Sequence, residues 1–219
     1  MKHRIVAIAA LAAFLIAGSG AFAATKLSPQ PQGAEATFIT AIQKDLNARF
    51  PNPAAAEAAG YFRYSNEDNT GAISYANTKW TSDITHPSQL WFDVKGNLLG
   101  ADFSQPDAKT APKLWGVLPA RWYHFHPHVH YVYTDNGTTV YGKATSVKKF
   151  VAAGGSLTDP DAATVVKLGV VKDPSLVTHV FLFPAIWDLI VWVKPNPAGA
   201  FADKNPDVHP SANAEKMND

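Results

Sequence analysis

The sequence predicts an α+β fold: a single domain, mainly antiparallel β-sheet made of several hairpins, with an N-terminal helical hairpin and one or two helices inserted before the last strands. Three observations carry that prediction. Phe38, Ile39, Ile42, Leu46 and Phe50 recur at helical spacing near the start. From Tyr61 the period shortens to that of strands, and Gly/Asn/Asp turns punctuate short aromatic and β-branched runs. Near the end, 176–183 and 187–193 are the most apolar stretches and lack clean alternation, which predicts strands buried on both faces.

The elements follow in order. Lys2, His3 and Arg4, the apolar run 5–17 and Ala21-Phe22-Ala23 read as a secretory signal peptide over 1–23, cut near Ala23. That run is too short for a good anchor, and 180–193 is broken by Pro184 and Asp188, so no membrane anchor is expected in the mature chain. The predicted location is secreted or periplasmic. Residues 24–33 form a flexible Pro/Gln/Ser-rich leader. A helix over 34–49 stops before Pro51, and Asn52-Pro53 caps and opens a short alanine-rich helix closed by Gly60.

Strands are predicted over 61–64 and 72–75, then over 89–94 and 98–103 around a Lys95-Gly96-Asn97 turn. A proline-rich connection follows. Residues 121–133 read as one strand, which Asp135-Asn136-Gly137 turns back into 138–141. Helices are expected over 145–153 and from Asp159-Pro160 to Leu168-Gly169. The domain spans 34–195, and 196–219 is an extended or disordered tail.

Charge excludes some partners. The signal holds Lys2 and Arg4 and no acid, so 19 basic and 18 acidic residues become 17 and 18, a net charge of about −1. Nothing there attracts nucleic acid. The chain is cysteine-free, so neither disulfides nor a lipidated cysteine contribute. Aromatic residues at 11% against charged residues at 17% are compatible with an aromatic-lined pocket as well as with a core.

The functional signal is the histidine cluster of 121–133. His124, His126, His128 and His130 occupy alternate positions, so an unbroken strand would gather four imidazoles on one face, with Tyr123, Phe125, Val129 and Tyr131 on the other. Side chains at i and i+2 stand about 6.6 Å apart, close enough for two ring nitrogens to meet one ion. Four in line span about 20 Å and cannot all do so; a bulge at Pro127 would send the two pairs to different faces. His179, on the apolar run 178–183, is the most suspicious further ligand, with His86, Asp135 and Asp188 weaker ones. Imidazole without thiolate suits a divalent transition metal, zinc or copper first.

Two functions compete. In one, these histidines hold a metal with an open position, Trp122, Tyr123 and Tyr131 form the cofactor-binding wall, and the protein is a metal-dependent hydrolase, lyase or oxidase. In the other, it is a non-enzymatic, aromatic-rich β-sheet module that binds a small apolar ligand or sugar, the histidines serving as polar pocket lining. No HExxH, GxSxG, P-loop or GxGxxG motif narrows the choice.

Overall fold

Residues 28–215 are described by a computed structural model. The chain begins there with helix α1 (Ala34–Arg49), which buries Phe38, Ile39, Ile42 and Leu46 along one face. Helix α2 (Pro53–Ala58) starts as predicted, with Asn52 accepting from the Ala55 amide at 3.0 Å and Pro53 in the first turn. The signal sequence and residues 24–27 lie outside the described residues.

Among the described residues nine strands follow: β1 (Phe62–Arg63), β2 (Ile73–Ala76), β3 (Gln89–Phe92), β4 (Leu98–Pro106), β5 (Tyr123–Phe125), β6 (His128–Asp135), β7 (Thr138–Ser146), β8 (Val177–Phe183) and β9 (Ile186–Trp192), with α3 (Val147–Ala152) and α4 (Ala162–Lys167) between β7 and β8. They form two antiparallel sheets, one of six strands in the order β1-β2-β3-β4-β9-β5 and one of three in the order β7-β6-β8. The α+β prediction therefore holds. No helix among the described residues is long and apolar enough to cross a membrane.

The predicted strand 121–133 is two strands. β5 pairs with β9 in the large sheet and β6 pairs with β8 in the small one, with Pro127 in the gap. Proline has no amide proton to give a ladder, so the chain changes sheet there. β8 and β9 make the same transfer across Pro184. The apolar run 187–193 becomes the central strand β9, buried as predicted. β8 instead lies at an edge of the small sheet, with His179 exposed. In the second inserted helix the cap is Asp161, which accepts from the Thr164 amide at 2.7 Å, two residues after the predicted Asp159.

One face of the large sheet supports the main core, where Leu90, Ala101, Phe103, Leu189 and Val191 meet α1. Phe38 stacks on Trp115 of the proline-rich connection at 5.6 Å between centroids. On the opposite face, Trp91, Ile190 and Trp192 are covered by Val208. Gly100 lies beneath Trp91, where a Cβ would stand 2.9 Å from the indole. At the β1–β2 end that face meets the small sheet through Ala76, Tyr64, Val132 and Phe181. The small sheet's far face carries Tyr131 and Val180 against Val165 of α4.

The tail is described as far as Glu215. Phe201, Asn205 and Val208 are buried, and the Glu67 carboxylate, also buried, accepts from the Ser211 amide at 2.8 Å and from its hydroxyl. An isolated bridge joins Glu215 to Asp68. The tail's Pro, Asn and Ala content predicts no regular element, and its described residues form none; side-chain anchors hold them instead.

Candidate functional site

The break at Pro127 divides the histidines into two pairs with different surroundings. His124 and His126 are exposed. His124 tilts against Trp187 and its Nε2 meets Asp107 Oδ1 at 2.7 Å. His126 stands edge-on to His124, with ring centroids 5.6 Å apart.

His128 and His130 are half-buried on the face of β6 that carries Val132. Cross-strand register sets His128 opposite Phe183 and His130 opposite Phe181. Each ring lies nearly parallel to that partner, at 4.7 Å and 5.2 Å. Tyr64 closes the far side of His130, edge-on at 4.9 Å. These contacts fix both rings so that their Nε2 atoms face each other at 2.9 Å.

The protons between them follow from the neighbours. His128 Nδ1 lies 3.0 Å from the His126 carbonyl oxygen. A carbonyl only accepts, so Nδ1 of His128 carries hydrogen. One of the two facing Nε2 atoms supplies the hydrogen of that contact, which leaves His130 Nδ1 as the remaining ring nitrogen of the pair. That Nδ1 is buried beside the Lys143 backbone without a hydrogen-bond partner of acceptable geometry. Burial, and then His128, push His130 down to about 3, against a weaker opposite pull from Lys143. The two rings thus meet through one hydrogen between their Nε2 atoms, and burial holds His130 neutral.

The other sequence-predicted residues are dispersed. His179 is largely exposed; one side stacks on Phe62 at 4.2 Å, and that partial covering lowers it. It faces Val132 across the ladder and does not join the pair. His86 turns to Asp83, which the Thr85 hydroxyl and amide, then His86, hold below the usual carboxylate range. Asp135 is exposed in the β6–β7 turn. Trp122 is buried in the main core against Trp115, with Nε1 unpartnered. Tyr123 donates to the Phe201 carbonyl at 3.1 Å. Tyr131 is buried beneath α4. Among the described residues, no three His, Cys, Asp or Glu side chains converge as a metal group.

An open groove of about 560 Å³ runs along the edge strand β8, lined by Phe62, Trp80, Leu157, Thr178, His179 and Phe181. Trp80 also packs on Phe183, the ring that stacks on His128. The groove and the histidine pair therefore share one aromatic wall.

A polar cluster is buried in the face of the large sheet opposite α1. Asp102 on β4 and Asp188 on β9 are 6% and 1% exposed. Gln89 Nε2 donates to Asp102 at 3.0 Å and reaches Asp188 at 3.5 Å. Ser104 donates to Asp188 at 2.5 Å, and Tyr64 donates to the Gln89 carbonyl oxygen. Burial, then the Asp188 charge, raise Asp102 well above the ordinary carboxylate range, and burial raises Asp188 to about 7. Sequence reading missed this cluster apart from Asp188. Its signal was an acid inside each apolar run, Ala101-Asp102-Phe103 and Trp187-Asp188-Leu189.

Comparison with protein-family models, with curated proteins and with solved structures finds no match to this chain.

Proposed function

We propose that this protein binds a divalent transition-metal ion through His128 and His130, outside the cytoplasm if 1–23 is a cleaved signal. The observation that supports this is the convergence of two imidazoles at 2.9 Å, the one with its far nitrogen tied to a backbone carbonyl and the other clamped between aromatic rings. Backbone-tied, preoriented imidazole is the form in which histidine ligates. A tetrahedral ion about 2.0–2.1 Å from each nitrogen needs them about 3.4 Å apart, so the rings would part by roughly 0.5 Å. Zinc or copper suits two imidazoles without sulfur. Two protein ligands leave the remaining positions to water or to a small molecule, where metal-dependent hydrolysis, lyase chemistry or oxidation would operate.

A second reading rests on the groove. The Phe62–His179 stack beside Trp80 offers flat faces to a small apolar ligand or sugar, with His179 as its polar group.

The test uses untagged protein stripped with chelator and titrated with Zn(II) and Cu(II) by calorimetry. One equivalent should bind, the His128→Ala/His130→Ala double variant should lose it, and His124→Ala/His126→Ala should keep it. Equal binding by both double variants would assign the metal to surface histidines and leave the groove as the better reading.

A further inference from the structure

Asp102 and Asp188 face no cation. Asp102 sits two residues along β4 from Ser104, the register partner of Asp188, so the two carboxyls are diagonal neighbours on one buried face. The groups turned toward them come from several elements: Gln89 and Trp91 from β3, Ser104 from β4, Tyr64 from the segment after β1, and Tyr123 beside Asp188 on β5. Among the described residues no Lys, Arg or His lies within ion-pair distance of either carboxyl. Tyr64 and Tyr123 are both raised, by burial first, and stay uncharged through neutral pH.

The donors are all neutral and none brings a counter-charge; the Trp91 indole N–H goes to Asp102. Gln89 offers a single amide NH₂ to both carboxyls, and the Ser104 hydroxyl goes to Asp188. The Tyr64 hydroxyl is committed to the Gln89 carbonyl oxygen, and the Ser88 hydroxyl to the Asp102 backbone carbonyl or to Ser104. A buried carboxylate without a cation is expensive, and two side by side repel as well.

We propose that Asp102 and Asp188 form a proton-operated lock in the core, holding at least one proton between them across the neutral range and loosening as protons leave. The lock joins β4 to β9. Through Gln89 it also holds Tyr64, whose ring packs on Phe181 and His130 of the small sheet, so it ties the two sheets together. Its direction follows from linkage. The folded protein holds the protons more tightly than the unfolded chain, where aspartate titrates near 3.9. The stability gained is complete below that value and is lost as pH rises through the folded values, the first near 7.

The test is a series of thermal melts at pH 6 and pH 8.5, in chelator so that the metal reading plays no part. Wild type should melt at least about 3 °C lower at pH 8.5. The Asp102→Asn/Asp188→Asn double variant keeps the shapes without the acids, and its melting temperature should change by less than about 1 °C. A wild-type melting temperature that is flat or rises, or an equal fall in the double variant, overturns the proposal. Should the variant not fold, infrared difference spectra of wild type decide: a protonated-carboxyl band at pH 6 that shrinks by pH 9 is expected, and its absence rejects the lock.

Discussion

Pro127 and Pro184 face each other across the ribbon formed by β5–β6 and β8–β9. On one side of them Phe125 pairs with Ile186, and on the other His128 pairs with Phe183, so one register passes unbroken through both prolines. Neither ring can donate to a ladder, and the sheet opens there without slipping. That opening separates His124 and His126, outside, from His128 and His130, between the sheets.

The two sides of the opening should respond differently to truncation. Phe125 is 38% exposed and Tyr131 8%. Tyr131→Ala should cost about 3–4 kcal/mol by urea unfolding, and Phe125→Ala only about 1 kcal/mol. The even alternation of an unbroken strand would have made the two costs alike.

In chelator-treated protein, His130 should make the fold acid-sensitive. Its folded value of about 3 lies below the 6.5 expected when unfolded, so its contribution is full above 6.5 and is lost as pH falls toward 3. Stability measured by urea unfolding should therefore decline between pH 6.5 and pH 4, by about 1–3 kcal/mol from this group. His130→Gln should flatten that decline. An unchanged slope in the variant would mean that the acid sensitivity arises elsewhere.

The tail should be structural. Removing residues 206–219 takes Val208 from Ile190 and Trp192 and leaves the buried Glu67 carboxylate without either Ser211 donor. The loss should be about 3 kcal/mol in urea unfolding. In the full chain, limited proteolysis should spare 196–208.

Periodicity made α1 legible to the residue, because one helix face meets one apolar sheet face. The centrality of β9 was legible for the complementary reason: a strand covered on both sides needs no alternation. The histidine strand was misread as one piece because side-chain alternation continues through Pro127 while the hydrogen bonding does not. Which histidines would meet depended on Phe181, Phe183 and Tyr64, between about 50 and 66 residues away along the chain and invisible to any local pattern. The acid pair was hidden likewise, since nothing local announces that β9 will insert beside β4.

That insertion also sets an order of assembly. β9 lies between β4 and β5, strands made long before it, and its pairs with β4, from Pro106–Ile186 to Gly100–Trp192, join residues about 80 to 90 apart. β1 to β4 can pair locally as soon as they exist, but β5 has no neighbour in the large sheet until β9 arrives. Until about residue 192 has been synthesised, β4 is an open edge carrying Asp102 and Ser104 without their partners, and the two sheets have no shared ribbon. Contacts this distant make folding slow, and an unfinished chain keeps a bare strand edge open to wrong pairings. β9 must therefore enter between β4 and β5 before the tail can lay Val208 over Ile190 and Trp192.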